Sequence, residues 1–339
     1  MTHIYFYGTI FSAHGVLKGG LALSFRIMGT GFYVPDKVIT NDDLSKMVDT
    51  SDEWIMQRVG VRERRVSVDM TASDMAAAAA EKALASSGLS ADKLDMIIAA
   101  SISSNDLCPT VAGYVQMKIG ASCPSFDVNS ACSGFIFALD TAVSFMERGC
   151  AENILVIGAE RLSKIVDWTD RSTCVIFGDG AGAFVISKGD GYLSSKLYTA
   201  GGNDIIEIPN YAGESPFYNG IKLPPYIFMQ GQETFKFAVN KIVSDIKEVT
   251  EKAGLSIDDI DYIVPHQANV RIIDYASKRL KVPKEKFYVN IHKYGNTSSA
   301  SVPIAFSELA ESGRLKRGDI VAMCAFGGGL SSAACIIKY

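Results

Sequence analysis

The sequence predicts an α/β fold made of two pseudo-symmetric halves, and three observations carry that prediction. Gly88-Leu-Ser-Ala-Asp-Lys-Leu-Asp-Met-Ile97 and Gly254-Leu-Ser-Ile-Asp-Asp-Ile-Asp-Tyr-Ile263 agree at six of ten positions. Phe126-Asp-Val-Asn129 is answered by Phe287-Tyr-Val-Asn290, and the run Asn153 to Gly158 by Asp319 to Cys324, in the same order along the chain. Matches that recur in order mark a duplicated unit. In both units β-branched runs alternate with amphipathic stretches, Met75 to Ser87 and Glu233 to Ala253, the pattern of mostly parallel strands covered by helices. The halves fall at 23–190 and 191–339. No Pro/Ser-rich linker separates them, so they are expected to pack as one body.

Within this frame, the run Pro124 to Val128 reads as a buried strand and the apolar segment Phe135 to Met146 as a helix. Gly201 to Pro225, rich in Gly, Asn and Pro, reads as a long surface loop. Gly178-Asp-Gly-Ala-Gly182 lies between β-rich runs (Thr173 to Phe177 and Phe184 to Ile186) and opens no helix, so it reads as a tight turn rather than a phosphate loop. Met1 to Ala22 lacks the basic, apolar and small-residue order of a signal peptide. The expectation is a translation start near Leu23, which leaves the status of residues 1–22 open.

Composition narrows the function. Apolar residues make up 48% of the 339 and charged residues 21%, as in a folded globular enzyme. A net charge of −4 gives no reason to expect nucleic-acid binding, and no apolar stretch is long enough to span a bilayer. The seven cysteines are odd in number, scattered, and form no C-x-x-C pair. That pattern suggests reduced thiols in a cytoplasm and no metal site.

Cys132, in Asn129-Ser-Ala-Cys-Ser-Gly-Phe135, is expected in the first turn of the helix that follows the Pro124–Val128 strand. Unpaired N–H groups and the helix dipole favour a thiolate there, hence a nucleophile; a buried structural thiol is the open alternative. His266 follows the repeated strand, where α/β folds place functional loops, although a satisfied polar residue at a strand end would look the same. His292, beside Lys293, reads as surface or supporting. Asn296 in Gly-Asn-Thr fits either a site amide or an ordinary turn. The run Cys324 to Gly329 ends a strand in three glycines, which suits backbone N–H groups approaching a substrate oxygen.

Taken together, Ser51-Asp-Glu-Trp-Ile55 with Arg58-Val-Gly-Val-Arg-Glu-Arg64, the Cys132 loop, Phe177-Gly-Asp-Gly-Ala-Gly182, His266-Gln-Ala-Asn269 and Gly295-Asn-Thr-Ser298 resemble β-ketoacyl-acyl-carrier-protein synthase III of the thiolase superfamily. The resemblance runs from about Ile27 to Tyr339. It implies a thiolase-like, layered αβαβα body and decarboxylative condensation of an acyl-CoA primer with malonyl-acyl-carrier protein, the step that initiates fatty-acid synthesis, with no cofactor. On this resemblance Cys132 accepts the acyl group, while His266 and Asn296 promote decarboxylation. Gly328 completes a second oxyanion hole and Phe326 shields the malonyl carboxylate. Trp54 and Arg171 sandwich the CoA adenine, and Arg58 meets the nucleotide phosphates. Gln267, Arg271, Lys278, Arg279 and Lys236 meet the acidic acyl carrier protein. Cys108 stands where many relatives carry a bulky residue gating the acyl pocket across a homodimer interface. Two rivals are kept: a condensing or acyl-transfer enzyme of specialised metabolism, and an acyl-CoA cysteine hydrolase.

Overall fold

The computed structural model describes residues 24–209, 217 and 224–339. The expected leader, 1–22, and positions 210–216 and 218–223 of the expected loop lie outside the described residues. The first sheet contains β1 (Ser24–Tyr33), β2 (Met96–Ala100), β3 (Ser125–Val128), β4 (Asn153–Glu160) and β5 (Gly180–Gly189), in the spatial order β1-β5-β4-β2-β3. The second contains β6 (Tyr192–Thr199), β7 (Tyr262–Pro265), β8 (Ile320–Gly327) and β9 (Ser331–Lys338), in the order β6-β9-β8-β7. A parallel bridge from Ile263 to Phe287 extends it at the position that β3 occupies beside β2. Order and strand directions therefore repeat, which is the pseudo-symmetry that the sequence repeats announce.

The sheets are mixed, not mostly parallel as expected. β2 runs parallel to β3 and β4, and β7 parallel to β8, but β5 and β9 run antiparallel to both their neighbours. The short Gly328–Leu330 connection between β8 and β9 explains one reversal, because a parallel return needs a crossover of a dozen residues.

Alternation along each strand sets the layers. In the first sheet Ile98, Ile154, Val156 and Phe184 face a middle layer formed by α3 (Gly134–Glu147) and α6 (Ser301–Glu311). From the other side Val264, Val321, Met323 and Cys335 of the second sheet face the same layer. The intervening residues face outward. Ile97, Leu155 and Val185 meet α1 (Ala72–Ser87) and α2 (Val111–Ile119), while Ile263, Ala322 and Ile336 meet α4 (Gly231–Lys252) and α5 (Val270–Leu280). A period of two on each strand thus buries both faces and yields five layers, αβαβα.

The repeated Gly-Leu-Ser explains where the outer helices stop. Gly88 follows α1 and Gly254 closes the turn after α4, both at φ 70°. Left-handed backbone of this kind ends a helix at little cost only when no Cβ is present. No helix among the described residues is long and apolar enough to cross a membrane.

Candidate active site

Cys132 does not open the helix as expected. Ala131–Ser133 forms a 3-10 turn and α3 begins at Gly134. Ala131 sits at φ 47°, a strained value for a residue with a Cβ, which swings Cys132 toward the end of β8. A Cβ at Gly327 would fall 2.7 Å from the Cys132 nitrogen, so the closeness of these backbones requires glycine. The Ser133 and Ser331 hydroxyls, 2.6 Å apart, tie the Cys132 turn to the start of β9. Burial pushes the Cys132 thiol up to about 12; Ser298 pulls it down and the buried Glu160 carboxylate raises it further. The helix start does not outweigh desolvation here, so the resting group is a thiol rather than the expected thiolate.

His266 follows β7 directly, and its backbone N–H donates to Cys324 O at 2.7 Å. Its ring packs edge-on against Phe326 with centroids 5.4 Å apart. At 2% exposure, desolvation lowers its pKa to about 3, so the imidazole is neutral near pH 7, and among the described residues its buried Nδ1 has no hydrogen-bond partner. Asn296 follows the short helix Ile291–Tyr294 and Gly295, which takes φ 67°. Its N–H donates to Ile176 O at 2.8 Å, and its carbonyl accepts from Gly178 N–H at 3.0 Å. Ser298 N–H donates to Asn296 Oδ1 at 2.8 Å, and among the described residues Nδ2 has no acceptor.

Cys132, His266, Asn296, Ser298, Phe326 and Gly328 line one cavity of about 1080 Å³. Its other walls are largely apolar, with Ile102, Leu107, Phe137, Ile206 and Met229 among them. An uncharged donor pair beside a thiol in such a space suits the stabilisation of developing negative charge on a bound oxygen.

Sequence comparison matches residues 126–201 to the 3-oxoacyl-[acyl-carrier-protein] synthase III domain and residues 250–339 to the C-terminal domain of the same enzyme. The β-ketoacyl-[acyl-carrier-protein] synthase III of Clostridium acetobutylicum is 48% identical over 321 residues, covering 93% of this chain and 99% of that protein. The chain belongs to the 3-oxoacyl-[acyl-carrier-protein] synthase III family. The crystal structure of the Aquifex aeolicus synthase III superposes with a TM-score of 0.88 at 46% identity, covering 93% of this chain and all of that one. The priming β-ketosynthase of the R1128 polyketide pathway gives 0.86 at 33% identity, over 93% and 96% of the two chains.

In this synthase III chain the remaining expected residues fall in several places. The Arg171 guanidinium lies 5.0 Å from the Trp54 ring centroid and donates to Asp49 O at 2.7 Å. The two side chains lie against each other, so the expected sandwich is closed in this arrangement. Arg58 is exposed nearby on the helix Asp52–Arg58, and Trp168 is held by its indole N–H on Ser163 O. Arg271, Lys278 and Arg279 are exposed on α5. Arg271 covers Phe235 at the cavity wall, and Lys236 on α4 pairs with Glu233 at 2.6 Å. His292 is exposed.

Three expectations are corrected. Gln267 is 1% exposed: its Nε2 donates to Pro265 O and Tyr288 O, and its Oε1 accepts from the Asn290 and Ile291 N–H groups. With its amide fully engaged it has nothing to offer a partner protein, and it instead fixes the loop after His266. Cys108, expected to gate a partner's pocket, stands apart from these corrections: the thiol is exposed, and in its own chain the neighbouring Leu107 lines the cavity. Arg171–Cys174 is a short helix, so the run Thr173 to Phe177 is not a strand, and Gly180 and Gly182 lie inside β5 rather than in a turn. A Cβ at Gly182 would come within 2.7 Å of Ile304 N, so that glycine admits α6.

Among the buried ionisable groups that sequence reasoning missed, two stand close to the site. Arg64 is fully buried and donates to Ile39 O, Asn41 Oδ1 and Val175 O, one residue before the carbonyl that receives Asn296 N–H. Its place in the Arg58–Arg64 motif was the available signal. Glu160, at the end of β4, accepts from Ser103 and Ser299 hydroxyls. A carboxylate closing an otherwise apolar strand was the signal there.

Proposed function

We propose that the chain joins an acyl-CoA primer to malonyl-acyl-carrier protein, releasing CoA and CO2, with Cys132 as the acyl-carrying nucleophile. The observation that carries this reading is the meeting of Cys132, His266, Asn296 and Phe326 around one cavity. Thioester exchange needs a nucleophile matched to the leaving CoA thiolate, and a cysteine meets that need. Loss of CO2 leaves an enolate on the malonyl thioester oxygen, and donors from neutral His266 Nε2 and Asn296 Nδ2 stabilise it. Each well-placed donor contributes roughly 3–4 kcal/mol. Phe326, edge-on to His266, keeps water from the leaving carboxylate. The Cys132 and Gly328 N–H groups hold the acyl carbonyl.

Acyl-CoA enters over Trp54, with Arg171 swung off its stack and Arg58 toward the phosphates. The apolar walls receive an aliphatic primer. Arg271, Lys278 and Arg279 on α5, with Lys236, supply the basic face for an acidic carrier protein. The working form is a cytoplasmic homodimer in which the loop carrying Cys108 limits the acyl pocket of the partner. Intact-mass analysis after incubation with a panel of acyl-CoAs tests the reading. An acyl adduct lost in Cys132→Ala is expected; absence of an adduct with every acyl-CoA would overturn it.

A further inference from the structure

Gln267 gives its whole side chain to backbone groups. Its Nε2 donates to Pro265 O at 2.8 Å and to Tyr288 O at 3.0 Å. Its Oε1 accepts from Asn290 N–H at 3.0 Å and from Ile291 N–H at 3.1 Å. Both amide protons and both oxygen lone pairs are thereby used, and the reversed amide would set donor against donor. The backbone N–H of Gln267 adds a bond to Ser301 Oγ at 2.7 Å. At 1% exposure such an amide is tolerated because its polar atoms are paired, and removing it would strand four backbone groups.

These partners lie on the two sides of one functional segment. Tyr288 N–H donates to Ile263 O of β7 at 2.9 Å, and β7 ends at Pro265. From there the Gln267 side chain takes the backbone groups that a continuing strand would have met. Asn290 and Ile291 open the short helix Ile291–Tyr294, which delivers Gly295 and Asn296. Ser301 opens α6 on the other side of Asn296. One residue thus grips the chain before and after Asn296, while its own neighbour along the chain is His266. Glu308 of α6 holds the same short helix laterally, accepting from Asn290 Nδ2 at 2.8 Å and from Tyr294 OH at 3.1 Å. Cys132 is held separately, through its own turn and the Ser133–Ser331 hydroxyl pair.

We infer that Gln267 is a positioning residue that fixes the distance between the His266 and Asn296 side chains, an inference that rests on reading those two as the donors of decarboxylation. An enolate oxygen gains from two donors only when both reach it at hydrogen-bond distance, so a shift of about 1 Å between the two loops forfeits much of the gain. The His266 ring has no anchoring hydrogen bond at Nδ1 among the described residues, and it is set by its contact with Phe326 and by its loop. The Gln267 clamp supplies that loop with a fixed place relative to Asn296. Acylation of Cys132 uses neither donor and lies outside the reach of the clamp.

The test compares full-length wild type with Gln267→Met, which keeps the bulk and removes the amide, and with Ser301→Ala, a milder change that removes the acceptor of the Gln267 N–H. Two half-reactions are read: acylation of Cys132 by whichever acyl-CoA labels wild type fastest, and CO2 release from malonyl-acyl-carrier protein by the pre-acylated protein. The clamp requires the maximal rate of CO2 release to fall about 100-fold in Gln267→Met and about 3- to 10-fold in Ser301→Ala. The half-saturating carrier-protein concentration and the acylation rate should stay within about 2-fold of wild type. Equal losses in both half-reactions would mean general loosening and would overturn the clamp. A raised half-saturating concentration at an unchanged maximal rate would make Gln267 a carrier-protein contact and overturn it as well. If Gln267→Met does not fold, Ser301→Ala decides, and wild-type CO2 release in that variant overturns the clamp. If wild-type protein takes no acyl group or releases no CO2, the proposed function falls and the clamp with it. If it does both and the variants match it, only the clamp falls.

Discussion

The Ser298 N–H donates to Asn296 Oδ1 across 2.8 Å, and this one bond decides which end of the Asn296 amide meets the cavity. With the oxygen engaged, the Nδ2 donors are the free end. Asn296→Asp keeps the shape and the Ser298 contact but replaces the donor with an oxygen. Decarboxylation of malonyl-carrier protein, followed by CO2 release, is expected to slow roughly 100- to 1000-fold, with Cys132 acylation much less affected.

His266 ties stability to pH. Its folded pKa of about 3 lies below its ordinary 6.5, so below pH 6.5 the unfolded chain binds a proton that the folded chain refuses. The stability it contributes is complete above pH 6.5 and is lost as pH falls toward 3. Between pH 7 and pH 5 wild type should lose about 2 kcal/mol more than His266→Asn, as read from denaturant midpoints at the two pH values.

The Arg171 guanidinium rests over the Trp54 ring. Arg171→Ala removes both the self-stack and one face of the proposed adenine sandwich. KM for acyl-CoA is expected to rise roughly 2- to 5-fold with little change in kcat, a split that steady-state kinetics resolves.

Gly158 lies under the segment that carries Ser298 and Ser299. A Cβ there would stand 2.4 Å from Ser299 O and 2.9 Å from its carbonyl carbon, both backbone atoms that cannot rotate aside. Gly158→Ala should cost roughly 1–3 kcal/mol of stability and also lower turnover by shifting Asn296, as calorimetry and activity assays together would report.

The parts of the site legible in the sequence are those that sit at ends of elements. Cys132, His266 and Asn296 each follow a repeated strand or a glycine turn, so the repeats make them candidates, and the family resemblance is what singles them out. Other features depend on neighbours far along the chain. Whether the Cys132 thiol ionises depends on burial that outweighs the helix start, and desolvation is not written in local spacing. Gln267 sits in a motif with a functional appearance, yet its amide turns inward because Tyr288 and Asn290 happen to lie there. Glu160 and Arg64 gain meaning only once Ser299 and Val175, over a hundred residues away, close on them. The mixed strand directions were missed for a simpler reason: a glycine-rich hairpin and a crossover look alike when their strands are read one at a time.

The layer made of α3 and α6 belongs to neither half alone, because each helix has one side against each sheet. Cutting the chain near residue 190 would therefore leave two fragments with a raw apolar face apiece, α3 stranded on one and α6 on the other. Neither fragment would hold its shape in water unaided, and mixing them should restore a single species. The ancestral duplication, on this view, cannot be undone: the two copies should melt as one cooperative unit.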